Sequence, residues 1–294
     1  MKITLLQTDI AWAEPKENIR RAAAMMEQAG EADLYVLPEM WATGFATRPE
    51  GIAEDEEESV ALAWMRQMAR ERGCAISGSL AVRLNDGTFR NRHYFVTPQA
   101  TVFYDKRHLF RHGHEDEFFI QGTEAVVAEW QGWRILLQTC YDLRFPCFSR
   151  YGRSLPRPLQ KEGRTPPVPR PLQKEGRTAA GLYYDAIIYV ANWPEKRQLA
   201  WDTLVRARAI ENQCYVLAVN RTGDTPLNPT KGGKASFSPS GRSGEVYAGG
   251  SVIIDPIGRV VTECPAGEHS ATAEIFIEKL RDMRSRFRVL DDRD

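Results

Sequence analysis

Trp133-Arg134-Ile135-Leu136-Leu137-Gln138-Thr139 reads as a buried strand that breaks at once into the polar turn Cys140-Tyr141-Asp142-Leu143-Arg144-Phe145-Pro146. A strand that delivers a cysteine into a sharp turn presents a thiol at the edge of a sheet, which makes Cys140 a candidate nucleophile. Two other segments end strands in the same way. Leu37-Pro38-Glu39 closes an early one, and Tyr104-Asp105-Lys106-Arg107-His108-Leu109-Phe110 closes a later one. Together they offer one thiol, one carboxylate and one ammonium.

Outward from these segments the pattern alternates between helical and strand periods. Ile3, Leu5 and then Asp9-Ile10-Ala11-Trp12 suggest an opening strand, and Pro15 to Ala29 has helical apolar spacing closed by Gly30. Asp33 to Leu37 is a short buried strand, and Ser59 to Arg72 is a helix that Ser59 caps and Gly73 stops. Asn85-Asp86-Gly87 then turns a hairpin between Cys74–Leu84 and Thr88–Thr97, and Gln131-Gly132 turns another between Ala125–Trp130 and Trp133–Thr139. The second half repeats this grammar: strand Asp185–Ala191, helix Arg197–Asn212, strand Cys214–Asn220, strands around Asp255-Pro256-Ile257-Gly258, strand Ala271–Ile277 and a charged helix from Glu278. Two similar halves of strand pairs and helices suggest two sheets face to face with helices outside, though alternation alone fits several α/β folds.

One segment stands apart from this grammar. Pro156 to Thr165 recurs unchanged as Pro169 to Thr178, and a unit rich in proline, glycine and charge cannot bury a core. It reads as a flexible surface loop inserted over residues 155–180.

The 39 basic and 39 acidic side chains cancel, so no global field draws the chain to nucleic acid or to an anionic membrane. Five cysteines, Cys74, Cys140, Cys147, Cys214 and Cys264, are scattered without a Cys-x-x-Cys pair, which argues against a disulfide framework or a structural zinc. The first residues carry no apolar run with a small-residue cleavage site, and no run reaches membrane-spanning length. The expectation is a soluble, reduced, cytoplasmic protein.

A thiol attacks a carbonyl or nitrile carbon only once a neighbour removes its proton. Glu39 is the available base. Lys106 supplies fixed positive charge where an oxyanion develops, and the backbone N–H of Tyr141 adds a second donor. These are the parts of an acyl-transfer site.

Leu37-Pro38-Glu39-Met40-Trp41-Ala42-Thr43-Gly44-Phe45, Tyr104 to Phe110 and Cys140 to Pro146 resemble, in order and spacing, the three signature segments of the carbon-nitrogen hydrolase (nitrilase) superfamily. The resemblance covers nearly all of residues 1–294 as one such domain, apart from the repeat insertion. Tyr104 to Phe110, with Val190-Ala191-Asn192-Trp193-Pro194 and Arg208 to Gln213, looks most like the bacterial omega-amidases. That family implies a four-layer α-β-β-α sandwich, no cofactor, no metal, a Glu-Lys-Cys triad and a homodimer. It also carries a second glutamate seven residues before a glycine. Glu115 before Gly122 matches it and Glu117 does not; the implied role is to hold Lys106 and to help a proton reach the leaving amine.

The substrate implied is a small-molecule amide, the monoamide of a short dicarboxylate such as 2-oxoglutaramate or 2-oxosuccinamate. Its far carboxylate calls for a planar bidentate donor. Arg197, just past Trp193, is the candidate and Arg144 the rival, with Arg144 otherwise read as bracing the nucleophile turn from below; Phe45 and Trp41 would wall the pocket. Nitrilase, carbamoyl-amide hydrolase and aliphatic amidase share the triad and stay open. Outside the superfamily, His108, His112, His114 and Glu115 cluster as a competing metal set, although Gly113 interrupts them and no His-Glu-x-x-His is present. A serine hydrolase lacks its Gly-x-Ser-x-Gly elbow, and an inactive scaffold would not need the triad intact.

Overall fold

Ile3, Leu5, Leu34, Val36 and Phe95 from one sheet share a core with Ile135, Leu137, Ile188, Val190, Leu217 and Val219 from another. The intervening residues face the opposite way. Leu6, Tyr35, Leu37 and Ile76 pack with Met25, Met26, Leu62 and Met65 of two helices, and Leu136, Ile187, Tyr189 and Val216 pack with Trp201, Val205 and Ala209 of a third. Period-two alternation with both faces apolar is what a sheet covered on both sides requires. The result is a four-layer sandwich, helices, sheet, sheet, helices, in a computed structural model that describes residues 1–151, 177–178, 181–225 and 244–292.

The first sheet runs in the order His269–Glu274, Lys2–Gln7, Leu34–Val36, Ala75–Arg83, Phe89–Val96, Thr101–Asp105, with Glu54–Asp55 beside Ala75–Arg83. The second runs Val260–Glu263, Val252–Ile254, Tyr215–Asn220, Ala186–Ala191, Trp133–Thr139, Val127–Trp130. Each has a parallel centre, Lys2–Gln7 with Leu34–Val36 and Ala75–Arg83 in one, Trp133–Thr139 with Ala186–Ala191 and Tyr215–Asn220 in the other. Antiparallel strands flank both. In the first sheet Lys2–Gln7 lies between Leu34–Val36 and His269–Glu274, so segments from opposite ends of the sequence are neighbours.

Local chemistry accounts for the elements. Pro15 sits in the first turn of helix Pro15–Ala29. The Ser59 hydroxyl accepts the Leu62 N–H at 3.0 Å, capping helix Val60–Arg72. Gln131 and Gly132 take φ of 48° and 78°, the paired positive angles of a two-residue hairpin turn. Two expected boundaries move. The opening strand stops at Gln7 rather than reaching Trp12, because Arg21 takes the Asp9 carbonyl and Arg221 the Asp9 carboxylate, leaving only a bridge from Asp9 to Thr222. The last strand is His269–Glu274 rather than Ala271–Ile277, its pairing ending where Glu274 meets Lys2, and Ile277 already begins helix Ile277–Arg286. Most of the expected insertion at 155–180 lies outside the described residues. Among those described, no helix is long and apolar enough to cross a membrane.

His93 is wholly buried between the sheets, with Nε2 2.8 Å from the Ser77 hydroxyl. Burial pushes its pKa from 6.5 down to about 3, against the pull of the Asp142 carboxylate, so the folded protein keeps this imidazole neutral. A depressed folded-state value means that the unfolded chain takes up the proton first as pH falls. The stability due to this group is complete above the unfolded value and drains away toward the folded one. Unfolding by urea should therefore show the wild type losing about 2 kcal/mol more than His93→Gln between about pH 7 and about pH 5. Equal losses in the two proteins would refute the assignment.

Candidate active site

The three expected triad residues lie just past the carboxyl ends of strands at one end of the sandwich, where ligands of parallel α/β sheets bind. Glu39 follows Leu34–Val36, Lys106 follows Thr101–Asp105 and Cys140 follows Trp133–Thr139. Glu115 opens the short helix Glu115–Phe118. The loop that carries it is tied down at Gly122, whose N–H donates to the Lys106 carbonyl at 2.9 Å. A Cβ on Gly122 would come within 2.1 Å of the Asp105 carbonyl oxygen, so the backbones approach this closely only with glycine there.

Lys106 is the hub. Its Nζ donates to Glu39 Oε1 at 2.8 Å and to Glu115 Oε2 and Oε1 at 2.8 and 3.1 Å, with all three side chains out of contact with water. Burial alone would lower the lysine pKa, yet the charges of Glu115 and Glu39 outweigh it and drive the value above its ordinary one, so the ammonium persists. Burial pushes the proton affinity of Glu115 upward, aided by Glu39 and opposed by Lys106. Neutral donors take most of the remaining acceptor sites. Glu115 Oε2 accepts the Phe110 N–H at 2.6 Å, Glu39 Oε2 accepts the Asn192 N–H at 2.9 Å, and the Asn91 amide reaches both glutamates.

Cys140 begins a short 3₁₀ turn, Cys140–Arg144, with φ of 45°, an angle that non-glycine residues hold only when their surroundings compel it. The compulsion comes from Asp142. Its carboxylate accepts from the Thr139 N–H at 2.9 Å, the Tyr104 hydroxyl at 2.7 Å and the His108 N–H at 3.0 Å, with His108 Nδ1 at 2.7 Å. Arg208, buried in the outer helix Gln198–Asn212, donates to the Leu143 carbonyl at 2.6 Å. The Cys140 sulfur is almost enclosed and lies 3.9 Å from the Asn192 carbonyl. Burial first, then the Glu39 charge, raise its pKa well above that of a free thiol, against the opposing pull of Lys106. The resting site therefore holds a thiol rather than a thiolate.

Aromatic rings form a mouth beside Lys106 and the Cys140–Arg144 turn. The Phe45 ring centroid is 5.3 Å from Lys106 Nζ, Phe110 meets Tyr141 at 5.2 Å, and Tyr141 meets Phe145 at 5.1 Å. Trp193 packs in the cluster that contains Cys140, under the Arg144 guanidinium at 4.8 Å, while the Arg197 guanidinium stands 5.2 Å over Phe110. Trp193 Nε1 donates to the Arg197 carbonyl at 2.9 Å, joining the loop to the mouth. Among the described residues neither arginine has a carboxylate partner.

Two expectations need correction. Trp41 does not wall the pocket: it is buried against Trp64 on the helix side of its sheet, because successive residues past the strand point to opposite faces. Arg144 does not brace the nucleophile turn, since it is solvent-exposed over Trp193, and the bracing guanidinium is Arg208. The competing metal set diverges. His108 is turned to Asp142 and stacked on Phe145 at 3.8 Å, His114 pairs on the surface with Glu117, His112 meets the edge of Phe110, and Glu115 belongs to Lys106.

Sequence reasoning missed Asn91, the side chain of Asn192, and the Asp142 and Arg208 anchors. Asn91 had a readable signal. It shares the inward face of Phe89–Val96 with His93 and Phe95, where a period-two pattern calls for apolar residues.

The arrangement has counterparts among known proteins. The carbon-nitrogen hydrolase family matches residues 2–154 and 162–285. The chain belongs to that family. As a carbon-nitrogen hydrolase it is similar to omega-amidase YafV of Yersinia enterocolitica, at 36% identity over all of this chain and 97% of that one. It is also similar to 2-oxoglutaramate amidase of Bacillus subtilis, at 32% identity over 99% of this chain and 96% of the relative. A solved CN-hydrolase superfamily protein from Xanthomonas campestris, carrying an arsenic adduct in its active site, superposes with a TM-score of 0.80 at 36% identity, covering 100% of this chain and 97% of its own.

In this carbon-nitrogen hydrolase, Asp142→Ala should cost about 3–5 kcal/mol in chemical denaturation, because it strands several buried donors at once. A loss below about 1 kcal/mol would show that the turn is held by other means.

Proposed function

We infer that this carbon-nitrogen hydrolase is an omega-amidase, opening the terminal amide of a short dicarboxylate monoamide through a thioester on Cys140. The observation that carries the reading is the buried ammonium of Lys106, clamped by Glu39 and Glu115 beside the Cys140 thiol. A lysine held charged cannot serve as a base, which leaves that task to Glu39.

Glu39 takes the thiol proton as sulfur attacks the amide carbon. The oxyanion that forms meets Lys106 Nζ and the Tyr141 N–H, a first-turn donor of the kind that lacks an intrahelical partner. Collapse of the tetrahedral intermediate breaks the carbon–nitrogen bond, and Glu39 returns the proton to the departing nitrogen, which leaves as ammonia. Water then gives a proton to the same carboxylate and attacks the thioester; the acid departs and the thiol is restored. Glu115 has Lys106, Asn91 and Phe110 on its two oxygens, so we assign it to keeping Lys106 charged and aimed rather than to a proton relay.

The substrate class draws support from the relatives named for omega-amidase and 2-oxoglutaramate activity. Two guanidiniums without carboxylate partners among the described residues, Arg197 and Arg144, flank the aromatic mouth formed by Phe45, Phe110 and Trp193, and a free carboxylate on the substrate would pair with Arg197.

An ammonia-release assay across 2-oxoglutaramate, glutaramate, a carbamoyl amino acid and a simple nitrile should show 2-oxoglutaramate turned over best; preference for the nitrile or the carbamoyl compound would overturn the substrate class. Cys140→Ala should abolish release while leaving the unfolding midpoint in place, and retained turnover would remove Cys140 from the mechanism. Arg197→Ala should raise KM for 2-oxoglutaramate by about 10-fold or more with kcat little changed, the effect of losing a charge-assisted contact made equally in ground and transition states. An unchanged KM would withdraw Arg197.

A further inference from the structure

Asn91 lies in the middle of strand Phe89–Val96 with its side chain sealed from water. Its Nδ2 is 2.8 Å from Glu39 Oε1 and 3.0 Å from Glu115 Oε1, one amide nitrogen serving two carboxylates. Its Oδ1 accepts from the Ser79 hydroxyl at 2.9 Å, and the Ser79 oxygen in turn accepts the Met40 N–H at 2.9 Å. That chain has a direction. The Met40 amide can only donate, which leaves the Ser79 proton for Asn91, and carboxylates accept, so the asparagine presents its NH2 to the glutamates and its carbonyl to Ser79. The backbone N–H next to Glu39 thus sets the amide that holds the Glu39 side chain.

We propose that Asn91 is a positioning residue of the catalytic site, occupying Oε1 of Glu39 so that Oε2 is the oxygen reserved for the Cys140 proton. A carboxylate oxygen accepts about two hydrogen bonds in its plane. Oε1 of Glu39 already has two, from Lys106 and Asn91, both at 2.8 Å. Oε2 has the Asn192 N–H at 2.9 Å and only a long approach from Asn192 Nδ2 at 3.5 Å. Both oxygens of Glu115 are fully engaged, so the carboxylate oxygen of the cluster with room for another donor is Glu39 Oε2. The titratable groups facing this cluster are Lys106 from the end of Thr101–Asp105, Glu115 from its short helix, Cys140 from the nucleophile turn, and Tyr247, which feels the Cys140 charge from Val246–Ala248. Asn91 is the one neutral side chain that donates to both glutamates, and its loss removes a hydrogen bond from the charged form of Glu39.

The inference rests on the reading of Cys140 as nucleophile and Glu39 as its base, and its test separates the two. The rate of Cys140 alkylation by iodoacetamide is followed against pH by mass spectrometry, with Cys147 as internal reference, in wild type, Asn91→Leu and Ser79→Ala. Wild-type Cys140 should react selectively near neutral pH and lose reactivity on an acid limb. In Asn91→Leu that limb should move up by about one pH unit, the loss of one hydrogen bond to a charged acceptor. In Ser79→Ala, which frees the amide to turn over, it should move the same way by less. Selective wild-type reaction with superimposable limbs in the folded variants overturns the role of Asn91 alone, whatever happens to stability; if Asn91→Leu does not fold, the Ser79→Ala limb decides. Wild-type Cys140 reacting no faster than Cys147 overturns the nucleophile itself, and the role of Asn91 with it.

Discussion

A lysine ammonium with no access to water is the constraint on which the rest of this structure depends. Moving such a charge from water into a protein interior costs several kcal/mol even after relaxation, and only close, well-aligned partners repay it. One carboxylate would neutralise Lys106. The site supplies two, Glu39 and Glu115, and so adds a demand for further donors on their remaining oxygens. The N–H groups of Phe110, Asn192 and Asn91 meet it, each at a fixed distance from a rigid strand or turn.

That requirement explains why the fold takes the form of two sheets sharing an end. The donors and charges come from segments far apart in the sequence, and Leu34–Val36, Trp133–Thr139 and Ala186–Ala191, which lead to Glu39, Cys140 and Asn192, run parallel to sheet neighbours, so their carboxyl ends converge. Met40 and Cys140 both sit at positive φ, 44° and 45°, immediately after or at a reactive side chain. Backbone strain of this kind persists when hydrogen bonds overrule it, and here the Ser79 hydroxyl on Met40 and the Asp142 carboxylate around Cys140 provide them. The stability of the sandwich is spent on holding a few atoms where unconstrained backbone would not put them.

Much of this was legible in the sequence because it is local. Hairpins declared themselves through Asn85-Asp86-Gly87 and Gln131-Gly132, helix Pro15–Ala29 through its spacing, and the clustering of Glu39, Lys106 and Cys140 through the segments that carry them. Glu115 could be separated from Glu117 by its distance to Gly122, and the close approach of Gly122 to Asp105 gives that spacing a physical reason. What escaped was closure. Asn91, Asp142 and Arg208 matter through partners far along the chain, and a polar residue on a strand or helix looks the same in sequence whether it meets water or a buried acceptor. Arg144 and Trp41 were misplaced for a related reason: proximity in sequence to a reactive residue does not fix which face a side chain takes.

The pairing of Lys2–Gln7 with His269–Glu274 has a bearing on how the protein is made. Contacts between such distant segments form late and slowly, since the whole intervening loop must be closed first. While the chain is still on the ribosome, Lys2–Gln7 has Leu34–Val36 on one side and nothing on the other, an unpaired edge open to the nascent chains around it. The strand that ends that exposure, His269–Glu274, is made only after every strand of the second sheet, so the first sheet cannot close before the second has been synthesised.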